Sequence, residues 1–167
     1  MVSDYTDYIY GQIADCVHKI TRNLQRGALP KHVQAYLPYY RAEGSLRRDM
    51  GAMWQRGDLV RVGRAGSRRG YRVPRGDERF LFEWIPAAVR LLGKSAVSEM
   101  RVMLSAEDVA ESLNRDDVEM VRGVLDWLAD CGKVVALDNG SYRAPTQLER
   151  MAWQVVGRLP YGVTQVA

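Results

Sequence analysis

A short pattern recurs in this chain. Tyr71-Arg72-Val73-Pro74 and Tyr142-Arg143-Ala144-Pro145 stand 71 residues apart, and each closes the same succession of amphipathic segment, glycine, short β-branched run, turn and second short run. A period that long exceeds those of solenoid repeats, so the two passages read as related units in tandem. Each unit must then bury a core of its own. At 167 residues and 47% apolar content the chain has enough material for two small cores.

The first unit is organised around Ser45 to Pro74. Ser45 reads as an N-cap before Leu46 to Arg56, and Gly57 stands where a helix takes a left-handed stop. Leu46, Met50, Met53 and Trp54 fall on one face of that helix by their three-and-four spacing, while Arg47, Gly51 and Gln55 fall on another. Beyond Gly57, Asp58 to Val62 and Tyr71 to Val73 have strand character and flank Gly63-Arg64-Ala65-Gly66-Ser67-Arg68-Arg69-Gly70. This predicts a hairpin with a glycine-rich, arginine-loaded tip.

Helix, glycine, strand, basic loop and strand, in that order, resemble the second half of a winged helix-turn-helix domain. The upstream sequence fits its first half. Tyr5 to Arg26 carries Ile9, Ile13, Cys16, Val17, Ile20 and Leu24 at helical spacing and is expected to end at Gly27. Pro30 to Leu37 resembles the short helix that opens the motif, with Pro30 in its first turn. Pro38 to Gly44 would be the turn, longer than the three or four residues of the tightest examples.

The second unit repeats this order after a linker at Arg75 to Glu78. Pro86 is expected to divide Phe80 to Ile85 from Ala87 to Leu92, or to bend one helix. Ser95 to Leu104 reads as helix running into a short strand or turn. Ser105 caps a helix through Leu113, with Glu107 and Asp108 in its first turn. Asn114 to Asp116 turns, and Val118, Val121, Val124, Leu125 and Leu128 line a helix ending near Gly132. Asp138-Asn139-Gly140 between Val134 to Leu137 and Ser141 to Pro145 is a strong hairpin signal. Gln147 to Leu159 is expected to form a terminal helix that caps the second unit, packs between units or pairs with another copy. The fold class expected is mainly α with small β-hairpins (α+β): two tandem winged helix-turn-helix units plus a C-terminal helix, divided as residues 1–76, 77–146 and 147–167.

Charge separates the two units. Residues 1–76 hold two Lys and twelve Arg against five Asp and one Glu, a net +8; the remainder holds ten basic and fourteen acidic residues, a net −4, and together they return the +4 of the chain. A basic front half points to a polyanion and an acidic back half to a different task. The resemblance implies that the Leu46 to Arg56 helix enters the major groove of double-stranded DNA. Arg47 and Arg48 would then meet base edges, with Arg able to bridge guanine O6 and N7, Gln55 would reach adenine, and Arg56 would add charge. Arg64, Ser67, Arg68, Arg69 and Arg72 would follow phosphates or the minor groove. Tyr39 and Tyr40 read as turn packing ahead of base stacking. In the second unit the matching helix presents Arg115, Asp116, Glu119, Arg122, Asp126 and Asp130, a face that phosphate repels, so residues 77–167 are expected to bind protein or make a homodimer.

Other functions find little in the residues. His18 and His32 lack a nucleophile or metal-spaced partner, and the Gly63, Gly66 and Gly70 spacing is no dinucleotide fingerprint, since no helix follows it. No enzyme, cofactor or metal is therefore expected. Cys16 and Cys131 read as buried free thiols. Glu83, Pro86 and Arg90 interrupt the longest apolar run, so no membrane span is expected, and Asp4 and Asp7 are unlike the start of a signal peptide. A cytoplasmic, nucleoid-associated transcriptional regulator is the expectation. The alternatives are a protein-binding tandem winged-helix adaptor of a larger complex, or a replication or plasmid-maintenance DNA-binding protein.

Overall fold

A computed structural model describes residues 4–22, 26–62, 70–98 and 103–156. The chain divides into two compact units, Met1–Arg75 and Gly76–Ala167. In the first, α1 (Asp4–Thr21) is followed by α2 (Pro30–Tyr36), α3 (Glu43–Arg56), β1 (Val60–Arg61) and β2 (Tyr71–Arg72). In the second come α4 (Gly76–Ser98), α5 (Ala106–Ser112), α6 (Val118–Asp130), β3 (Val135–Ala136), β4 (Tyr142–Arg143) and α7 (Gln147–Val156). The fold is thus mainly helical with two small antiparallel hairpins, an order compatible with winged-helix topology.

The first core forms where the apolar stripes of three helices meet. Ile13 and Val17 of α1, Val33 of α2, and Leu46, Met50 and Met53 of α3 are fully buried, as is Leu59 just after α3. Full burial of each such side chain contributes about 1.5 to 3 kcal/mol before chain entropy is counted. The second core repeats the plan with Leu81, Ile85 and Val89 of α4, Val109 of α5, Val121, Leu125 and Leu128 of α6, and Val134. Leu46, Met50, Met53 and Leu59 correspond to Val121, Leu125, Leu128 and Val134 at a constant offset of 75 residues. Past the hairpin loop the offset drops to the 71 seen in the tetrapeptides, because the first loop is longer by four residues.

Both major helices stop in the same way. Gly57 has φ 89° and Gly132 φ 74°. Asp58 N–H donates to Met53 C=O at 2.8 Å, and Lys133 N–H to Leu128 C=O at 2.9 Å. These are Schellman closures, which satisfy helix-end carbonyls and turn the chain into the following strand. The hairpins share a register as well: Val60 pairs with Arg72 and Arg61 with Tyr71, as Val135 pairs with Arg143 and Ala136 with Tyr142.

A third strand position completes each hairpin. Ala28 and Tyr71 exchange both backbone hydrogen bonds at 2.8 Å, and Leu104 and Tyr142 do so at 2.8 and 2.7 Å. In the first unit this crossing depends on two glycines. A Cβ on Gly70 would stand 2.5 Å from Gly27 C and 2.6 Å from Arg26 O, and one on Gly27 would meet Gly70 C at 2.9 Å. Gly70 is therefore the buried base of the hairpin and not part of its tip. Gly27, with φ 77°, serves this crossing, since α1 already ends at Thr21, where the side-chain hydroxyl donates to Val17 C=O at 2.8 Å.

Other boundaries also shift. α3 begins at Glu43, two residues before the expected cap, because Leu46 N–H already donates to Ala42 C=O at 3.0 Å. A carboxylate in the first turn suits the positive helix end. Ser45 consequently lies inside the helix and caps nothing; its hydroxyl accepts from Arg48 at 3.4 Å. α4 runs unbroken through Pro86, the single-helix alternative of the two expected. Ser105 does form a capping box: its hydroxyl accepts from Asp108 N–H at 3.1 Å, and Asp108 Oδ2 accepts from Ser105 N–H at 2.9 Å. Gly140, with φ 79°, closes a three-residue loop in which Gly140 N–H donates to Leu137 C=O at 3.1 Å.

The two kinds of glycine separate in stability measurements. Gly70→Ala drives a methyl into backbone and is expected to lower the unfolding free energy by about 2 to 3 kcal/mol. Gly51→Ala meets nothing within 4 Å and should raise it by roughly 0.5 to 1 kcal/mol through helix propensity. Urea denaturation of the two variants reads both signs.

Candidate nucleic-acid interface

The outer face of α3 follows from its register. With Leu46, Met50, Met53 and Trp54 buried, the positions most removed from the core are Gly44, Arg48, Gly51 and Gln55, with Arg47 along one flank. Arg48 and Gln55 are exposed, and a Cβ at Gly44 or Gly51 would meet nothing within 4 Å. The helix thus presents a low backbone surface between long polar side chains. Arg47 is 71% exposed and makes an i,i+4 pair with Glu43 at 3.2 Å. An exposed pair of this kind is worth a few tenths of a kcal/mol, so the guanidinium can leave it for another anion.

Arg56 is placed differently. Its Nε reaches Asp58 at 2.6 Å, its two terminal nitrogens reach Asp7 at 3.1 Å, and its guanidinium lies over the Tyr10 ring at 4.9 Å. The structure uses it to tie α1 to the end of α3. Two more cations of this unit are similarly engaged. Arg41 holds Asp49 at 2.6 Å, bracing the turn against α3, and Arg61 covers the Trp54 ring at 3.7 Å. Arg72 is half-buried, with a long contact of 3.4 Å to Val73 C=O. Arg64, Ser67, Arg68 and Arg69 lie outside the described residues.

In the turn, Tyr39 OH donates to Gln12 at 2.8 Å, and Gln12 donates on to Tyr8 OH at 2.9 Å. Tyr39 therefore packs the turn onto α1, whereas Tyr40 is exposed. His32 Nδ1 accepts from Leu29 N–H at 3.1 Å at the start of α2, a structural use.

The equivalent surface of the second unit shows what α3 lacks. At the offset of 75, Gly44, Arg47, Arg48, Gly51 and Gln55 correspond to Glu119, Arg122, Gly123, Asp126 and Asp130. Arg122 is held by Glu107 at 3.0 Å and by Glu119 at 3.8 Å. Asp126 accepts from Tyr142 OH at 2.6 Å. Burial, with the Asp126 bond second, pushes the Tyr142 hydroxyl well above its usual range. Arg115 faces Asp77 at 3.6 Å. Arg115 and Arg122 are thus each set against neighbouring carboxylates. Between the N-caps of α2 and α5, Leu29 and Ser105, the offset is 76, and at that offset the residue matching Glu107 in the first unit is Lys31, which is exposed in the first turn of α2. Lys31 belongs with Arg47 and Arg48 as a candidate. Only the alignment of the two units singles it out.

The second unit also carries apolar side chains that its own core does not use. On α4, Phe80, Trp84 and Leu91 are 47%, 54% and 66% exposed, and the Phe80 and Trp84 rings lie 5.8 Å apart. α7 keeps only part of its apolar side chains inward, with Ala152 and Trp153 half-buried and the Trp153 ring against Gly132. Glu149 is only 5% exposed, bonded to Arg143 at 2.9 Å and to the Thr146 hydroxyl through its N–H at 3.2 Å, while Leu148, Met151 and Val155 face solvent.

Cys16 and Cys131 are buried, and burial pushes the Cys16 thiol upward. Among the described residues no group of three or more His, Cys, Asp or Glu is placed to hold a metal, and no helix is long and apolar enough to cross a membrane. No protein-family model matches the chain, and no curated protein is similar to it.

The Tyr142 hydroxyl gives the second unit a pH signature. Its folded value lies above the unfolded value of about 10, so its stabilising effect is complete below pH 10 and declines as the pH rises through the alkaline range. Tyr142→Phe should cost about 1 kcal/mol at neutral pH and flatten the decline above pH 10, as read by thermal unfolding across pH 8 to about pH 11.

Proposed function

We propose that the first unit binds double-stranded DNA through the outer face of α3, with the β1–β2 hairpin alongside, and that the chain acts as a transcriptional regulator whose second unit serves association. One observation carries this reading. At matched positions of two similarly ordered units, the first leaves Arg47, Arg48 and Lys31 exposed around a glycine-lined helix face, whereas the second fills that face with carboxylates that consume its arginine. A helix face low enough for close approach and flanked by exposed guanidinium groups suits a major groove, where Arg can bridge guanine O6 and N7. The element order supports the same reading through its likeness to winged helices, in which hairpin and helix lie against one duplex.

The roles divide by side-chain freedom. Arg47, Arg48 and Gln55 take base edges. Lys31, Arg72, and Arg64, Ser67, Arg68 and Arg69 of the loop take phosphates, and Arg56 holds the frame. The acidic counterpart face and the uncovered apolar residues of α4 and α7 suit the second unit to protein contact.

Gel shifts with random and selected duplexes test this reading. Roughly five phosphate contacts give a log affinity against log salt slope of about −4 to −5. Arg47→Ala and Arg48→Ala should each lose about 1 to 3 kcal/mol on the selected site and relax its preference, whereas Arg68→Ala with Arg69→Ala should weaken all sequences alike and flatten the salt slope. Gly51→Asp, which gives α3 the acid of its counterpart Asp126, should abolish the shift while leaving the fold intact. Absence of any shift at low salt would overturn the reading in favour of a protein-binding adaptor.

A further inference from the structure

The outer stripe of α4 has a register of its own. Phe80, Trp84, Ala87 and Leu91 follow spacings of four, three and four, which place them within a narrow band of the helix surface, on the side away from the buried Leu81, Phe82, Ile85 and Val89. Such a band is the seam of a two-helix coiled pair. It is also symmetric about its middle. When a second α4 is laid on it antiparallel, Phe80 of each copy meets Leu91 of the other, and Trp84 meets Ala87, so each large ring faces a smaller side chain. A parallel pairing would set Trp84 against Trp84.

The charges on its flank select the same arrangement. Glu83 and Arg90 each precede a seam residue by one position and lie on the same side of the seam. In an antiparallel pair like flanks face each other, which brings Glu83 of each copy beside Arg90 of the other, twice by symmetry. In a parallel pair that flank would face Leu81 and Ala88 instead. Both residues are exposed, and Glu83 has only a loose intrahelical contact of 3.7 Å with Arg79.

We infer that α4 is a homodimer interface: two copies of this chain pair antiparallel along Phe80, Trp84, Ala87 and Leu91, with Glu83 and Arg90 as reciprocal ion pairs. A two-fold contact of this kind is isologous, the same patch serving both copies. Trp84 is its central anchor, the residue type that most often dominates an interface. The inference rests on the association role proposed for the second unit and gives it an occupant.

Sedimentation equilibrium of the full chain without DNA tests it. The chain is expected to be dimeric at about 10 μM. Glu83→Arg and Arg90→Glu should each raise the dimer dissociation constant at least about tenfold by setting like charges together, with circular dichroism unchanged. The double variant should return to the dimer, and the two single variants, when mixed, should form a heterodimer. A chain that stays monomeric at about 100 μM would overturn the proposal and leave the DNA reading untouched. A dimer indifferent to both charge reversals but lost with Met151→Glu would also overturn it, assigning the contact to α7.

Discussion

The two-bond crossing between the loop after the first helix and the second hairpin strand holds each unit's parts in one frame. Ala28 and Tyr71 in the first unit, and Leu104 and Tyr142 in the second, exchange N–H and C=O in both directions. A two-stranded hairpin of two residues per strand is marginal on its own. The crossing gives it a third partner and seats the tyrosine in the core. It also returns the second hairpin strand to the segment between the first two helices of its unit. In the first unit that return passes so close that both sides must be glycine at the contact.

The same frame carries opposite electrostatics in the two units. Core positions keep their offset and their apolar character, from Leu46 and Val121 through Leu59 and Val134, while the outward positions of the major helix change from glycine to carboxylate. One of these carboxylates also serves the second unit's own structure, since Asp126 accepts from the hydroxyl of the buried Tyr142. A guanidinium beside one exposed carboxylate in water gives up little to bind a phosphate. Arg122 stands between two carboxylates, Glu107 at 3.0 Å and Glu119 at 3.8 Å.

Paired charge elsewhere in the first unit serves architecture. Asp7, Asp49 and Asp58, half of the six acidic residues of positions 1–76, bind Arg56 and Arg41 at helix junctions. They thereby engage two of the fourteen basic residues of positions 1–76 in holding the unit together.

Much of the architecture was legible because it is written locally. Helical spacing exposed the buried faces of α1, α3 and α6, the glycines at 57 and 132 marked the helix ends, and Asp138-Asn139-Gly140 marked a hairpin. Each depends on residues within a turn or two of one another, where backbone preference and periodicity decide. The chain by itself also carried the tandem pattern and the split in charge. Tertiary structure alone decided which arginines are spoken for, since Arg56 meets Asp7 across 49 residues of chain. It assigned Gly27 and Gly70 to a crossing instead of a helix stop and a loop tip, and it turned part of the apolar side of α7 outward. Those outcomes depend on which segments meet in space, and no periodicity along one segment encodes its partner.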